Sequence, residues 1–454
     1  ETVQCNGLQN LFTIILTHNQ IGQLSISDCP RLDEVRCADN QLTNITIQGS
    51  PKLTGLDIAD NDLDPCALDA LYGTLPNRIE EYFSGRIYVA SDDTPDRENP
   101  GATTSKTSIA KSLGWNVYTT RDGLREDFTG DGTGCELMKN QQITMTTMVK
   151  VGDKIKLSVE TSDGKLEIEG LQGTWENGKT IEYTVSAPTI LLKGKITALN
   201  CQNCLLTGID LSKCSQLTSL RCSWNKLQQL DVSHLPLLQE LRCSWNELST
   251  LDLSNNKDLR LLFCSQNKLQ SLDLHTVPLL ENLYGSFNPL GSIDLKDNLK
   301  LQVLSLEQTN LESIDISMLP ELSYIELSDN ALKAVDLSQA TGLETLSVKA
   351  NKLSSIDLKN NVQLVYLDCS KNQLPSIDLS KALKLKKLYC NDNQLLKLNL
   401  ASLKALEELS CGNNQLTSLD LSPLPALGAL SCYGNKLEDV DLQYNQGLQS
   451  LIIG

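Results

Sequence analysis

One position recurs every 21 residues from Cys204 onward without an insertion or deletion, and nothing else in the chain restricts its fold as much. It is filled by Asn225, Asn246, Asn267, Asn288, Thr309, Asn330, Asn351, Asn372, Asn393, Asn414 and Asn435. Around it runs the pattern L-x-x-L-x-C-x-x-N-x-L-x-x-L-D-L-S, one copy of which spans Leu238 to Ser254. Strict self-similarity at a period of about 20 to 29 residues indicates coils stacked into a solenoid, an architecture that presents a long binding surface.

Each coil reads from its own residues. L-x-x-L-x-C alternates as a short parallel strand, with Leu220 and Cys222 facing inward onto their equivalents in the next coil. Leu227, Leu230 and Val232 turn inward next, and Leu238 starts the following coil. Strands in register lie about 4.8 Å apart, so a dozen coils make a spine of roughly 55 to 60 Å. The Asn belongs buried at the bend, where its amide satisfies backbone groups that a tight turn leaves unpaired. Thr309 and Cys204 replace it, each at an expected loss of about one or two hydrogen bonds. The L-D-L segments predict a second narrow ladder on the convex side, with little α-helix.

The N-terminal residues carry the same period. Asn19, Asn40 and Asn61 are 21 apart, with Ile14, Val35 and Leu56 at the strand centres, so residues 1–64 read as three coils with Glu1 to Asn10 as a cap. At Leu63-Asp64-Pro65 the pattern changes. Asp64 or Pro65 starts a helix in which Ala67, Leu68, Leu71 and Leu75 repeat at helical spacing. A strand at Gly85 to Ala90, a polar loop from Ser91 to Ser105, a helix at Ser108 to Leu113 and a strand at Trp115 to Tyr118 follow. Residues 65–122 are thus larger helix–strand repeats closing a first solenoid. Residues 123–195 are a linker (Thr120 to Met138 has no periodicity) and a small β domain. Its strands are expected at Gln142 to Val149, Lys154 to Glu160, Leu166 to Glu169, Thr180 to Val185 and Thr189 to Lys193, with hairpin turns at Asp163-Gly164 and Asn177-Gly178. Residues 196–454 are a second solenoid of about twelve coils. The expected class is mostly β with short helices: two solenoids joined by a β domain that covers the otherwise exposed end of the second.

The residues that carry chemistry elsewhere are here mostly construction. A column of Cys201, Cys222, Cys243 and Cys264 continues as Gly285, Leu306, Leu327 and Val348 before returning to Cys369, Cys390, Cys411 and Cys432. No metal or redox site tolerates Gly, Leu and Val in one slot, so these are small core hydrophobes with free thiols. Cys201-Gln-Asn-Cys204 spells C-x-x-C, but both members fall on repeat columns. Cys5 and Cys29 are candidates for a disulfide. The Asp column from Asp210 to Asp441, with Asn399 as its one exception, points outward, and Asx turns are expected to offset its self-repulsion. A calcium ladder is the sharper alternative. Asp127-Phe-Thr-Gly-Asp-Gly132 resembles the start of a calcium loop whose closing position is Met138. The three histidines (His18, His234, His275) lie in no catalytic or zinc motif, so no enzyme, cofactor or metal is expected. A net charge of −17 argues against nucleic acid and anionic membranes, and no run of apolar residues is long enough to span a bilayer. The chain opens at Glu1 without a signal-like apolar core, as a mature or trimmed form does.

Aromatics make up only 4% of the chain, and their placement is informative. Of ten after residue 201, nine occupy strand positions, or the position just after, whose side chains face away from the core. These columns line the concave face. Trp224, Trp245, Phe263, Tyr284 and Phe287 come from four successive coils, with Arg221, Arg242 and Leu261 alongside and Tyr324, Tyr366 and Tyr389 further on. Aromatics and Arg are the residues enriched in binding hot spots, and these eleven are the candidate ligand-binding residues. The bland alternative, that aromatics merely favour strands, leaves unexplained why none turns inward.

The repeat resembles the cysteine-bearing repeats of internalin J and of leucine-rich-repeat surface proteins of Bacteroidetes. Cys66 to Tyr72, Thr107 to Ala110 with Trp115, Ile143 to Thr147 and Val151 to Lys154 are similar to segments of the latter group. The resemblance implies a secreted or surface-anchored bacterial protein that recognises a host or bacterial surface protein or a glycan, with a spacer or self-assembly module as the alternative. Relatives of this kind carry a second Cys near the Ser105 position. None stands there, so Cys66 is expected to lack that bridge.

Overall fold

Stacking of like on like begins in the first coils. The structure, a computed structural model, describes residues 2–79, 81, 83–91, 99, 101–121, 124–130, 132, 135 and 141–454. It divides into two compact units, Glu1–Gln141 and Gln142–Gly454. In the first, Ile14, Val35 and Leu56 sit at the centres of strands Thr13–Ile15, Glu34–Arg36 and Gly55–Asp57, paired parallel and in register. Strands Gly85–Ser91 and Trp115–Arg121 continue the sheet with Ile87 and Val117 in the same line. On the opposite side of these coils Thr2–Asn6, Gln23–Ser27 and Asn44–Gln48 form a three-stranded parallel ladder. Residues expected as a plain cap therefore include a paired strand.

The helix Pro65–Thr74 starts as its residues dictate. Asp64 accepts the Ala67 N–H at 2.7 Å, and Pro65 occupies the first turn, where no N–H is missed. A second helix, Thr107–Ser112, packs against the sheet behind Trp115, whose indole N–H donates to Pro76 O at 2.8 Å. Gly85 lies so close to this ring that an added Cβ would sit 2.2 Å from it.

Several expectations need correction here. Cys66 lacks the bridge at the Ser105 position but has another partner: it is disulfide-bonded to Cys135, 69 residues on, which repeat register cannot reveal. Cys5 and Cys29 are both free thiols; the Cys29 thiol donates to the Cys5 carbonyl at 3.5 Å. The supposed linker contains strand Leu124–Asp127, which turns back antiparallel on Trp115–Arg121. The calcium-loop residue Asp131 lies outside the described residues, as does most of the polar stretch after Ser91.

The second unit opens with antiparallel strands. Leu171–Gln172, Thr180–Val185 and Lys154–Thr161 lead to Ile196–Asn200, where pairing switches to parallel and one three-residue strand per coil follows, from Ser219–Arg221 to Ser450–Ile452. A second sheet runs Glu167–Glu169, Thr189–Lys193, Gln142–Thr147, Leu206–Lys213. The antiparallel strands of both sheets thus pair with the first coil, through Lys154–Thr161 against Ile196–Asn200 and Gln142–Thr147 against Leu206–Lys213. One buried apolar cluster runs without a break from Ile143 to Cys432. Gly178 adopts φ 70° in the turn joining Leu171–Gln172 to Thr180–Val185, as the Asn177-Gly178 motif predicts. Asp163-Gly164 turns the chain too, but between strands of different sheets, so it is no hairpin.

The convex ladder expected from L-D-L is absent beyond Lys213 among the described residues. The reason is local: each Asp takes the backbone N–H two residues on, as Asp231 does from Ser233 at 2.9 Å, and the chain turns before a ladder can form. The first unit keeps its ladder because Asn44-Ile-Thr-Ile-Gln48 is a longer β-branched run. No helix of the described residues is long and apolar enough to cross a membrane.

Candidate functional site

The Asn column sets the geometry of everything around it. Asn246 accepts the Leu227 N–H at 3.0 Å and donates to the carbonyls of Cys222 and Cys243 at 3.1 and 3.0 Å, linking its coil to the one before. Where Thr309 replaces it, the hydroxyl reaches Leu306 O at 2.9 Å and the Leu290 N–H turns to Asn288 O instead. The residue before each Asn is forced into the left-handed region. Trp224, Trp245 and Phe287 stand there with φ of 61°, 57° and 58°. A bulky residue pays on the order of 1–2 kcal/mol for that conformation. In return the ring points away from the core: Trp224 and Trp245 are 52% and 44% exposed.

The strands supply the second set. In Leu261–Phe263 and Asn282–Tyr284 the central Leu is buried, so Phe263 and Tyr284 face outward in register. Their rings stack with centroids 4.3 Å apart and planes 12° from parallel. Trp224 and Trp245 stack likewise at 4.2 Å and 8°. The Arg242 guanidinium lies 4.3 Å above the Phe263 ring, joining cation to aromatic face. Leu261 is half-buried beside them. Tyr324 follows two coils after Tyr284, and Tyr366 and Tyr389 form a tilted pair with centroids 5.5 Å apart.

Arg221 and Arg242, candidate binding residues by sequence, are held in ion pairs. Glu240, in the same strand as Arg242 and next to the strand of Arg221, takes both: Arg221 Nη2 at 2.9 Å and Arg242 through Nε, with the Ser219 hydroxyl donating at 2.8 Å. Burial pushes the Glu240 carboxyl up, but the hydrogen bonds from Arg221, Arg242 and Ser219 outweigh it and bring it below the usual range. The sequence does not mark Glu240 as a clamp. Glu240 holds the guanidinium planes in place, so Arg242 stays over Phe263.

The cysteine column carries no such chemistry. Burial pushes the Cys222 and Cys264 thiols up to about 12, so they remain protonated core side chains. Cys201 and Cys204 are free and buried. Among the described residues no group of three or more His, Cys, Asp or Glu is disposed to hold a metal ion. A cavity of about 700 Å³ lies elsewhere, in the first unit, with Arg36, Asp57, Arg86 and Tyr88 in its lining. Sequence reasoning passed over it. Its depth comes from the small Ala38, Gly55 and Ala59, and a lack of side chains carries no motif.

No protein-family model matches the chain, and no curated protein matches it. Solved structures do. The functional domain of internalin J from Listeria monocytogenes, which includes a cysteine ladder, is 28% identical with a TM-score of 0.55, over 60% of this chain and 66% of that one. A leucine-rich-repeat protein from Leptospira interrogans is 26% identical with a TM-score of 0.50, over 53% of this chain and 67% of that one. The 21-residue register and the buried cysteine column show a solenoid of leucine-rich repeats with a column of buried cysteines, similar to the cysteine-ladder domain of internalin J.

Proposed function

We propose that the concave face of residues 196–454 is a non-enzymatic recognition surface for a protein or glycan of a host or bacterial surface. The observation that carries this reading is the pair of exposed, mutually stacked indoles of Trp224 and Trp245. Beside them lies the Phe263–Tyr284 stack under Arg242. Rings held by stacking and by the backbone lose little entropy on binding, which is why such residues dominate hot spots. The likeness to internalin J supports protein recognition as the class of role.

In this reading residues 1–64 and 65–122 form one solenoid and 196–454 another. The segment 123–195 joins them, its β strands covering the first coil of the second. The single buried cluster that includes both Ile143 and Leu220 supports that cover. Secretion or surface display fits the Cys66–Cys135 disulfide, because such bonds persist in oxidising compartments. Replacing Trp224, Trp245 and Tyr284 together with Ala tests the site. Binding to a partner found by a glycan and protein array is expected to fall at least about a hundredfold; unchanged binding refutes the site. The alternative, a spacer that self-associates through the same rings, predicts concentration-dependent light scattering of the unliganded chain.

A further inference from the structure

Beyond the stacked rings the concave face changes sign. Glu307, Glu326, Asp329 and Asp368 come from successive or nearby coils, and among the described residues none of them is ion-paired. Two of the neighbouring lysines are engaged elsewhere: Lys386 pairs with Glu407 at 2.9 Å and Lys387 with Glu408 at 3.3 Å. Burial, with Glu326 and Asp329 close by, pushes the Glu307 carboxyl above its usual range, against the opposing charge of Lys349. These carboxylates share Lys349 as a nearby opposing charge but form no ion pair among the described residues, on a face that also bears Tyr366 and Tyr389.

A second feature lies in the same strip. On this face a side chain in one coil bonds across to the strand of the next: Ser286 to Ser305 at 2.9 Å, Ser328 to Ser347 at 2.6 Å, and the Ser410 hydroxyl to Asn391 at 2.7 Å. The equivalent pair is Ser370 and Tyr389. Tyrosine offers no hydroxyl at that depth, and its own hydroxyl is bonded to Glu408. The Ser370 hydroxyl is therefore left with no partner, although the residue is only 5% exposed. A buried hydroxyl without a partner is unfavourable, and it sits two residues from Asp368.

We propose that this strip, centred on Glu326, Asp368 and Tyr389, docks a segment of a protein partner that presents Arg or Lys side chains. The proposal rests on the reading of the concave face as a recognition surface and names the charge of what it recognises. A guanidinium placed between Glu326 and Asp368 supplies the ion pairs that these two carboxylates do not form among the described residues, and the tyrosine faces add cation–π contact. Turning the Tyr389 ring onto that guanidinium opens the Ser370 oxygen as a further acceptor. The aromatic pairs and the acidic strip then read two features of one partner, an apolar patch and a basic one.

The test uses the full chain and a short labelled peptide of alternating arginine and serine, followed by fluorescence anisotropy at physiological salt. The first variant carries Glu307→Gln, Glu326→Gln, Asp329→Asn and Asp368→Asn, each keeping a carbonyl acceptor for its backbone contacts. The second removes the same charge from the convex side by Asp252→Asn, Asp273→Asn, Asp294→Asn and Asp315→Asn. Asparagine is tolerated there, since Asn399 accepts the Ala401 N–H at 3.1 Å. The first variant is expected to weaken peptide binding about tenfold and the second to leave it within about twofold. Equal losses, or none in the first, overturn the proposal. Lys349→Glu, which adds charge to the strip, is expected to tighten binding; weaker binding counts against it. The Trp224, Trp245, Tyr284 triple variant separates the two readings, because its loss of array binding leaves the carboxylate effect on the peptide unchanged.

Discussion

Each buried Asn in the repeat does the work of several turn residues. Asn267 shows the pattern: it accepts from the Leu248 N–H at 3.0 Å and donates to Cys243 O and Cys264 O at 3.0 Å each. Removing the amide leaves those buried groups without partners. Asn267→Ala is expected to cost about 3 kcal/mol or more, read from urea unfolding of the second unit; a loss under about 1 kcal/mol shows that water replaces the amide freely. The inward Asn was legible from the sequence because its period is strict and its chemistry is local. Asn99 was not. It takes the same place one coil later in the first unit, accepting from the Leu63 N–H at 3.1 Å and donating to Ile58 O and Val89 O at 2.8 Å. The intervening helix breaks the count, so only the fold reveals the equivalence.

Among elements, the helix Pro65–Thr74 was readable almost to the residue, since Asp-Pro before an apolar 3.6-residue pattern is a local signal. Its covalent tie was not. Cys135 follows a stretch without periodicity, and a contact across 69 residues leaves no trace in spacing. Closing a loop of that length removes entropy from the unfolded chain, so Cys66→Ser is expected to lower the stability of the first unit by about 4 kcal/mol. Calorimetry should show only the transition of residues 1–141 moving, and a reducing agent should reproduce the effect in the unaltered chain. A shift in the transition of the second unit instead contradicts the separation of the two.

At the scale of the molecule, the outer Asp column runs along the second unit as a line of like charges. Hydrogen bonds from the Ser254 backbone and hydroxyl hold Asp252 below the 3.8 of a free aspartate. The Ser338 backbone and hydroxyl do the same for Asp336, and those of Ser380 for Asp378. A carboxyl whose folded pKa lies below its unfolded value stabilises the fold above the unfolded value, and that stability is lost as pH falls through the folded one. The second unit is therefore expected to hold its melting temperature from neutral pH down to about 5 and to lose it below 3.8. Asn at Asp252, Asp336 and Asp378 should flatten that acid limb, as thermal melts across the range will show. The sequence by itself determined the 21-residue coil, which columns are buried and which face outward from the strands, because every coil meets a near copy of itself. Only the tertiary structure decided which unlike residues meet across coils: Glu240 between its two arginines, the stacked Trp224 and Trp245, the unpaired Ser370, and Cys66 on Cys135. Those contacts depend on distances between different side chains, and a repeat pattern records only what is the same from one coil to the next.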